Sequence, residues 1–181
     1  MNKHQEANIR VKTRITAALL TLMKEKSISD ITITEIIAKA GVARASFYRN
    51  YASKESVITT LIADVLEQYR ATVEYDGENY YTYDNICRSF AYFSQYGELF
   101  LDLHHFGYGS VLLEALNQFH EEIAGTMPQR SIARYRLYMY VGSLYNTALI
   151  WLQGGQKESM EEITNLFCRV LKFPAGEDGM P

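Results

Sequence analysis

TITEIIAKAGVARASFYRNYASK, residues 32–54, contains two short helix signals on either side of a glycine. Thr32 stands three residues before Glu35, the spacing at which a threonine caps a helix and a glutamate returns the bond. Gly41 supplies the left-handed conformation in which helices often end. Residues 42–51 then place apolar side chains at four-residue spacing, which predicts a second helix. The stretch therefore predicts a helix-turn-helix.

The second helix of this stretch carries side chains suited to reading DNA. Arg44 offers a forked donor for guanine, Ala45 a small apolar contact for a thymine methyl, and Ser46 a short hydroxyl. The side chains expected to reach phosphates are Tyr48, Arg49, Asn50 and Lys54. Two alternatives stay open here: Tyr48 as a packing tyrosine, and Lys54 as a solvated lysine at a helix start.

Positive charge is concentrated in the first third of the chain. Residues 1–54 hold ten Lys or Arg against four acidic residues, whereas the rest of the chain carries a net charge of -9. Because phosphate binding depends on locally concentrated positive charge, this asymmetry favours a polyanion-binding head on an acidic body. Ordinary solvated surface charge is the alternative.

The stretch resembles the DNA-binding domain of the TetR/AcrR family of bacterial transcriptional regulators. The residues that carry the resemblance are Thr34, Ile37, Ala38, Ala40, Gly41, Val42, Tyr48, Ser53, Lys54 and Glu55. The resemblance covers roughly residues 9–58. The overall plan, with about nine helices of which the last two are long and apolar, is similar to the family over the whole chain.

The resemblance implies roles for individual residues. It implies phosphate contacts for Thr34, Tyr48 and Lys54, and it directs four residues towards bases: Arg44, Ala45, Ser46 and Arg49. It implies that Phe47 and Tyr51 pack the core of the head. Family members more often carry Ser and Lys or Gly where Arg44 and Ala45 stand, and Phe where Tyr51 stands, so the operator sequence cannot be carried over.

Helical periodicity continues through the chain and predicts an all-α protein. Only three prolines occur, and none within the first 127 residues. We expect a three-helix helix-turn-helix DNA-binding domain at 1–53, a helical effector-binding and dimerisation domain at 54–173, and a disordered tail at 174–181. A long helix from Lys54 to near Val73 joins the two domains, because its apolar stripe lasts about five turns.

The uncharged stretch Leu137–Gln156 is 20 residues long, the length of a bilayer span. Its polar residues and glycines favour a buried helix instead. No signal-peptide pattern opens the chain, and two cysteines are too few for a disulfide framework. We therefore expect a cytoplasmic protein.

The last two predicted helices, 132–152 and 159–172, suggest a symmetric dimer interface. The first of them is apolar along two seams and must be covered on more than one side. The residues predicted to lie in the interface are Tyr138, Gly142, Tyr145, Leu149, Ile163, Phe167 and Val170. A central core helix in a monomer is the alternative.

The body is rich in aromatic residues, because twelve of the 14 tyrosines follow residue 52. Aromatic rings with a few hydroxyls suit a cavity for a flat organic ligand. The candidate lining residues are Tyr69, Tyr92, Phe93, Tyr96, Phe100, Phe106, Tyr145 and Trp151. An aromatic core without a ligand is an equal alternative.

Catalytic and metal-binding patterns are not evident. His104 and His105 are adjacent, which makes a shared metal ion awkward on a helix, and His120 or Cys168 are weaker candidates still. We find no nucleophile with a base and no phosphate-cradling glycine loop, so we expect no enzyme, no cofactor and no metal.

The predicted function is that of a homodimeric transcriptional repressor that reads a palindromic double-stranded operator. A small apolar or aromatic effector would act by tilting the helix that starts at Lys54. The alternatives are a regulator that answers to a protein partner or to no effector, and a helical enzyme or metal-binding protein with a basic head by chance.

Overall fold

The computed structural model describes residues 3–71, 81–125 and 131–171, and all of its regular elements there are helical. The elements in chain order are α1 (Lys3–Met23), a 3₁₀ turn (Ile28–Asp30), α2 (Ile33–Ala40), α3 (Arg44–Asn50), α4 (Lys54–Arg70), α5 (Tyr83–Gln95), α6 (Gly97–Leu103), a π-helical turn (His104–Tyr108), α7 (Gly109–Ala124), α8 (Ile132–Gln153) and α9 (Met160–Leu171). The all-α prediction is confirmed. None of the described helices is long and apolar enough to cross a membrane.

The chain folds as two compact units that divide between Val65 and Leu66. The division falls inside α4, so this helix contributes its first three turns to one unit and its last turn to the other. The sequence placed the boundary at the start of this helix, after residue 53. The predicted tail at 174–181 and the end of the linking helix at Val73 lie outside the described residues.

The N-terminal unit packs α2 and α3 against α1. Ile15 and Leu19 of α1, Ile36 of α2 and Phe47 of α3 are fully buried. Burying an apolar side chain of this size contributes about 1.5–3 kcal/mol, so this cluster holds the two short helices α2 and α3 against α1. Helices of seven or eight residues are not stable alone in water.

The second unit packs α5 against α9 and α7 against α8. One stripe of α8 is buried along its whole length: Leu137, Val141, Leu144, Ala148 and Trp151. The Trp151 indole nitrogen donates to the Glu158 carbonyl at 2.9 Å and fixes the turn into α9. Phe90 contacts Trp151 and Phe167 edge-on, at centroid distances of 6.0 and 5.6 Å, and so joins α5 to both final helices.

Candidate nucleic-acid interface

The α2–α3 turn has the geometry that the sequence predicted. Thr32 Oγ1 accepts a hydrogen bond from the Glu35 amide at 3.2 Å, and Glu35 Oε2 accepts one from the Thr32 amide at 2.9 Å. Gly41 ends α2 at φ 59° and ψ 44°, the left-handed region in which glycine has no steric cost. Local sequence therefore determines where α2 starts and ends, and the turn at Gly41 sets the direction in which α3 begins.

α3 is anchored through one face. Phe47 is fully buried and Tyr51, the residue that ends the helix, is 4% exposed. Burial raises the pKa of the Tyr51 hydroxyl, which has Thr16 of α1 as a hydrogen-bond partner. Both residues therefore pack the core of the head, as the family resemblance implied.

The opposite face of α3 points to solvent. Arg44, Ala45, Tyr48 and Arg49 are exposed, and Ser46 is half-buried. Thr34 of α2 is exposed beside them. The helix-turn-helix therefore presents five of the eight predicted DNA contacts on accessible surface, with Ser46 at its margin. An α-helix presented in this way fits the width of a major groove.

Arg44 does not extend freely into solvent. Its Nη1 donates to Thr34 Oγ1 at 3.4 Å and its Nη2 donates to the Tyr48 hydroxyl at 3.3 Å. The guanidinium carbon lies 5.5 Å from the centroid of the Tyr48 ring. Sequence spacing alone indicated that residues 44 and 48 share a helix face, but not that they bind each other.

Two of the predicted phosphate contacts have partners within the protein. Asn50 Nδ2 donates to the Ser46 carbonyl one turn back at 2.8 Å. Lys54 Nζ donates to the carbonyls of Ser29 and Ile31 at 3.0 and 2.8 Å, and so holds the 3₁₀ turn against the start of α4. Both side chains are therefore engaged within the protein, and the contacts of Lys54 join residues 23 and 25 positions apart, which no local sequence pattern indicates.

Other basic residues of the head are neutralised by carboxylates. Lys26 pairs with Glu35 at 2.5 Å and Lys39 with Glu25 at 3.5 Å. The Lys26 ammonium, with the Thr32 amide and hydroxyl, lowers the pKa of Glu35 to about 2. Among the described residues no ion pair involves Arg44 or Arg49, so uncompensated positive charge remains on the exposed face of α3.

The predicted effector-lining residues fall into separate groups within the second unit. Tyr69, Tyr92 and Tyr96 form one run, with ring centroids 4.6 and 4.7 Å apart, and Phe93 pairs with Phe100 at 4.8 Å. The remaining predicted residues lie elsewhere: Phe106 in the π-helical turn, Tyr145 beside His104, and Trp151 beside Phe90.

Sequence reasoning missed a buried polar group in this unit. His120 is 2% exposed, and its Nδ1 donates to the Leu116 carbonyl at 2.7 Å. Burial lowers the pKa of His120 to about 4. Tyr69 and Ser89 share a buried hydroxyl–hydroxyl bond of 2.7 Å. The burial of His120 could have been predicted from its position one turn after Leu116, on the apolar stripe of α7. Within the described residues no three His, Cys, Asp or Glu side chains could hold a metal ion together.

The residues predicted for the dimer face differ in their exposure. Tyr145, Leu149, Ile163 and Phe167 are buried by the chain's own second unit, at 4–8% exposure. These four therefore do not form the outer surface of α8 and α9. The exposed apolar residues of the two helices are Ile132, Tyr135, Tyr138, Met139, Ile150, Leu166 and Val170.

A groove of about 550 Å³ runs between α8 and α9. Predicted interface residues Tyr138, Gly142 and Val170 line it, with Phe167 on its floor. A Cβ added at Gly142 would meet no atom within 4 Å, so the groove is open above this residue. The other lining residues are Met139, Ser143, Asn146, Thr147, Leu166 and Leu171.

Comparison with known proteins finds relatives for the helix-turn-helix segment. Residues 15–60 match the model of the bacterial regulatory proteins of the tetR family. The uncharacterized HTH-type transcriptional regulator YxbF of Bacillus subtilis (strain 168) is 43% identical over 54 residues, which are 30% of this chain and 14% of that protein. The uncharacterized HTH-type transcriptional regulator Mb0790c of Mycobacterium bovis (strain ATCC BAA-935 / AF2122/97) is 33% identical over 67 residues, which are 37% of this chain and 30% of that protein. The match spans less than a third of the length of these relatives.

Solved structures share the fold over most of both chains. The TetR transcriptional regulator from Streptococcus agalactiae 2603V has a TM-score of 0.64 at 19% identity, covering 93% of this chain and 97% of that one. The dihydroxyacetone kinase operon activator DhaS has a TM-score of 0.57 at 12% identity, covering 90% and 94%. At these identities the likeness concerns the fold alone.

Proposed function

We propose that this chain, whose residues 15–60 match the tetR family of bacterial regulatory proteins, is a regulator of that family that binds an inverted-repeat DNA operator as a homodimer and so controls transcription in the cytoplasm. The observation that carries the proposal is the exposed face of α3, where neither Arg44 nor Arg49 pairs with a carboxylate of the described residues and the helix is anchored by Phe47. Two such helices related by a two-fold axis would enter successive major grooves about 34 Å apart.

The exposed apolar surface of α8 and α9 supports the homodimer. Met139, Ile150 and Val170 are each 66–67% exposed, and Met139 and Val170 line the groove that opens above Gly142. Contiguous apolar surface of this kind on a helical face is typical of protein interfaces. A second copy packing the same two helices would bury it symmetrically, since a two-fold interface uses one patch on both subunits.

The position of α4 supports control by an effector. In the N-terminal unit, Lys54 in the first turn of α4 binds the Ser29 and Ile31 carbonyls. In the second unit, Arg70 in the last turn pairs with Glu122 of α7 at 2.5 Å. A small apolar or aromatic molecule that shifts α7 would therefore act on this helix. A coupling of roughly 1–3 kcal/mol would change operator affinity about 5- to 150-fold.

We propose repression as the mode of control, with release by the effector. DhaS, which shares the fold, is named as an operon activator, so the test must read both directions of control. Reporter transcription from the selected operator, with and without the protein, distinguishes the two: repression lowers the signal and activation raises it.

The primary test is selection from a random DNA duplex library with the purified protein, repeated at two salt concentrations. We expect an enriched inverted repeat whose recovery falls steeply with salt. Arg44→Ala should relax the preference at one base pair of each half-site, whereas Arg49→Ala serves as the matched arginine variant on the same helix. The absence of any enriched sequence, with a correctly folded protein, would contradict operator binding.

A further inference from the structure

We propose that Tyr48 is a positioning residue for base recognition: it holds the Arg44 guanidinium in the orientation that reads a base, and so determines specificity through Arg44. This inference rests on the proposed operator binding. It differs from the phosphate contact that the family resemblance implies for Tyr48.

The contacts of Arg44 define the arrangement. Its guanidinium lies over the Tyr48 ring at 5.5 Å from the centroid and donates to the Tyr48 hydroxyl at 3.3 Å. A third contact, to Thr34 Oγ1 at 3.4 Å, ties the same group to α2. A guanidinium has five N–H donors, so donors remain for the O6 and N7 atoms of a guanine.

The charge on Arg44 is held by neutral groups. Two hydroxyls and a ring face orient the guanidinium without cancelling its charge, unlike the carboxylates that pair with Lys26 and Lys39. The positive charge of Arg44 is therefore not neutralised and can attract the DNA. An arginine paired with a carboxylate would have to break that pair before reading a base.

Tyr48 is itself fixed. Its ring meets Phe47 edge-on, with centroids 5.5 Å apart and planes 83° apart, and Phe47 is fully buried. Tyr48 is nevertheless 49% exposed, on the solvent-facing side of α3 that the proposal assigns to DNA. The buried Phe47 ring thus positions the Tyr48 ring, and the Tyr48 ring positions the exposed Arg44 guanidinium. Ordering a long side chain before binding removes part of the entropy cost of using it at an interface.

Three variants separate the contributions of the ring, the hydroxyl and the apolar bulk. Tyr48→Phe keeps the ring face and removes the hydroxyl bond. Tyr48→Leu keeps an apolar contact with Phe47 and removes both the ring face and the hydroxyl. Arg44→Ala identifies the base pair that Arg44 reads, where we expect a preference of about 5- to 150-fold in the unmodified protein.

The measurement is operator selection and affinity for single-base variants of the selected operator. We expect Tyr48→Leu to lower the preference at the Arg44 base pair at least about threefold, and Tyr48→Phe to lower it less. In the Arg44→Ala background Tyr48→Leu should cause no further loss at that base pair, whereas with Arg49→Ala its effect should be additive. In the free protein, ¹⁵N relaxation of the Arg44 side-chain Nε should show greater mobility in Tyr48→Leu.

Two outcomes overturn the inference while leaving operator binding intact. In one, Tyr48→Leu weakens every sequence alike, keeps the Arg44 preference and reduces the salt slope by about one, as loss of a phosphate contact would. In the other, Arg44→Ala leaves all base preferences unchanged. If the unmodified protein enriches no sequence at all, the proposed function and this inference both fail.

Discussion

Arg14 of α1 donates a hydrogen bond from Nη2 to the carbonyl oxygen of Gly41, at 3.0 Å and across 27 residues of chain. The guanidinium lies so close to the turn that a Cβ added at Gly41 would stand 2.5 Å from Nη2. The α2–α3 turn is therefore held in two ways, by its own left-handed glycine and by a side chain from a third helix.

Gly41→Ala should destabilise the protein by about 1–2 kcal/mol for the left-handed backbone alone, with an added loss from displacing Arg14. The check is the urea midpoint, with Gly155→Ala as the matched variant, because Gly155 is also at positive φ but an added Cβ there meets nothing within 4 Å. In the Arg14→Ala background the added loss should disappear. Equal midpoints for Gly41→Ala and Gly155→Ala would contradict the role of Arg14.

Glu35 should make the head sensitive to acid. Its folded pKa is about 2, below the ordinary 4.5, so its stabilising effect is present above pH 4.5 and is lost as the pH falls towards 2. Glu35→Gln should therefore lower the thermal midpoint at pH 6, and this difference from the unmodified protein should shrink below pH 4.5 and disappear only near pH 2. Glu25→Gln, which removes the longer and more exposed pair with Lys39, is the control and should change the midpoint less. A difference between wild type and Glu35→Gln that is independent of pH would argue against this origin.

His120 should make the stability of the second unit depend on pH. Burial lowers its pKa from 6.5 to about 4, so the unfolded chain binds the extra proton and stability falls as the pH drops from 6.5 to 4. The full effect amounts to about 3 kcal/mol. His120→Leu should remove this part of the slope in urea titrations between pH 7.5 and 4.5. Leu112→Ala, at another buried residue of the same helix, is the control and should lower stability without removing the slope.

The parts of the site that were predictable from sequence are those set by near neighbours. The Thr32–Glu35 capping box, the glycine at position 41 and the buried Phe47 all depend on spacings of a few residues, which sequence displays directly. The contacts of Lys54 with Ser29 and Ile31 depend on how α4 starts beside an earlier turn. No local sequence pattern predicts that the start of α4 lies beside this turn.

The outer face of α8 was predicted only in part, for a physical reason. Both apolar seams of α8 predict burial on two sides of the helix. The pattern does not show which side is buried by the same chain and which by a second copy. Tyr145 and Leu149 are covered by the chain itself, whereas Met139 and Ile150 are exposed. The turn His104–Tyr108 was also missed, because it contains a kink at Gly107, at φ 85°, and a kink has no hydrophobic period that the sequence would display.

The exposed groove residues give a direct test of the homodimer. Met139→Glu and Val170→Glu each place a charge on apolar surface that is 66–67% exposed in the single chain, so neither should disturb the fold of the monomer. If a second copy covers this surface, burying the unpaired carboxylate should weaken dimerisation at least about tenfold, since desolvating a charge costs several kcal/mol. Sedimentation equilibrium measures the change.

Ile9→Glu is the matched control for these variants, since Ile9 is an apolar residue of α1 that is 51% exposed and lies outside the groove. It should leave the dimerisation constant unchanged. The two groove variants should also lose operator affinity at protein concentrations below their new dimerisation constant and recover it above, because two linked reading heads bind far more tightly than one. A dimer that survives both groove charges would move the interface away from α8 and α9.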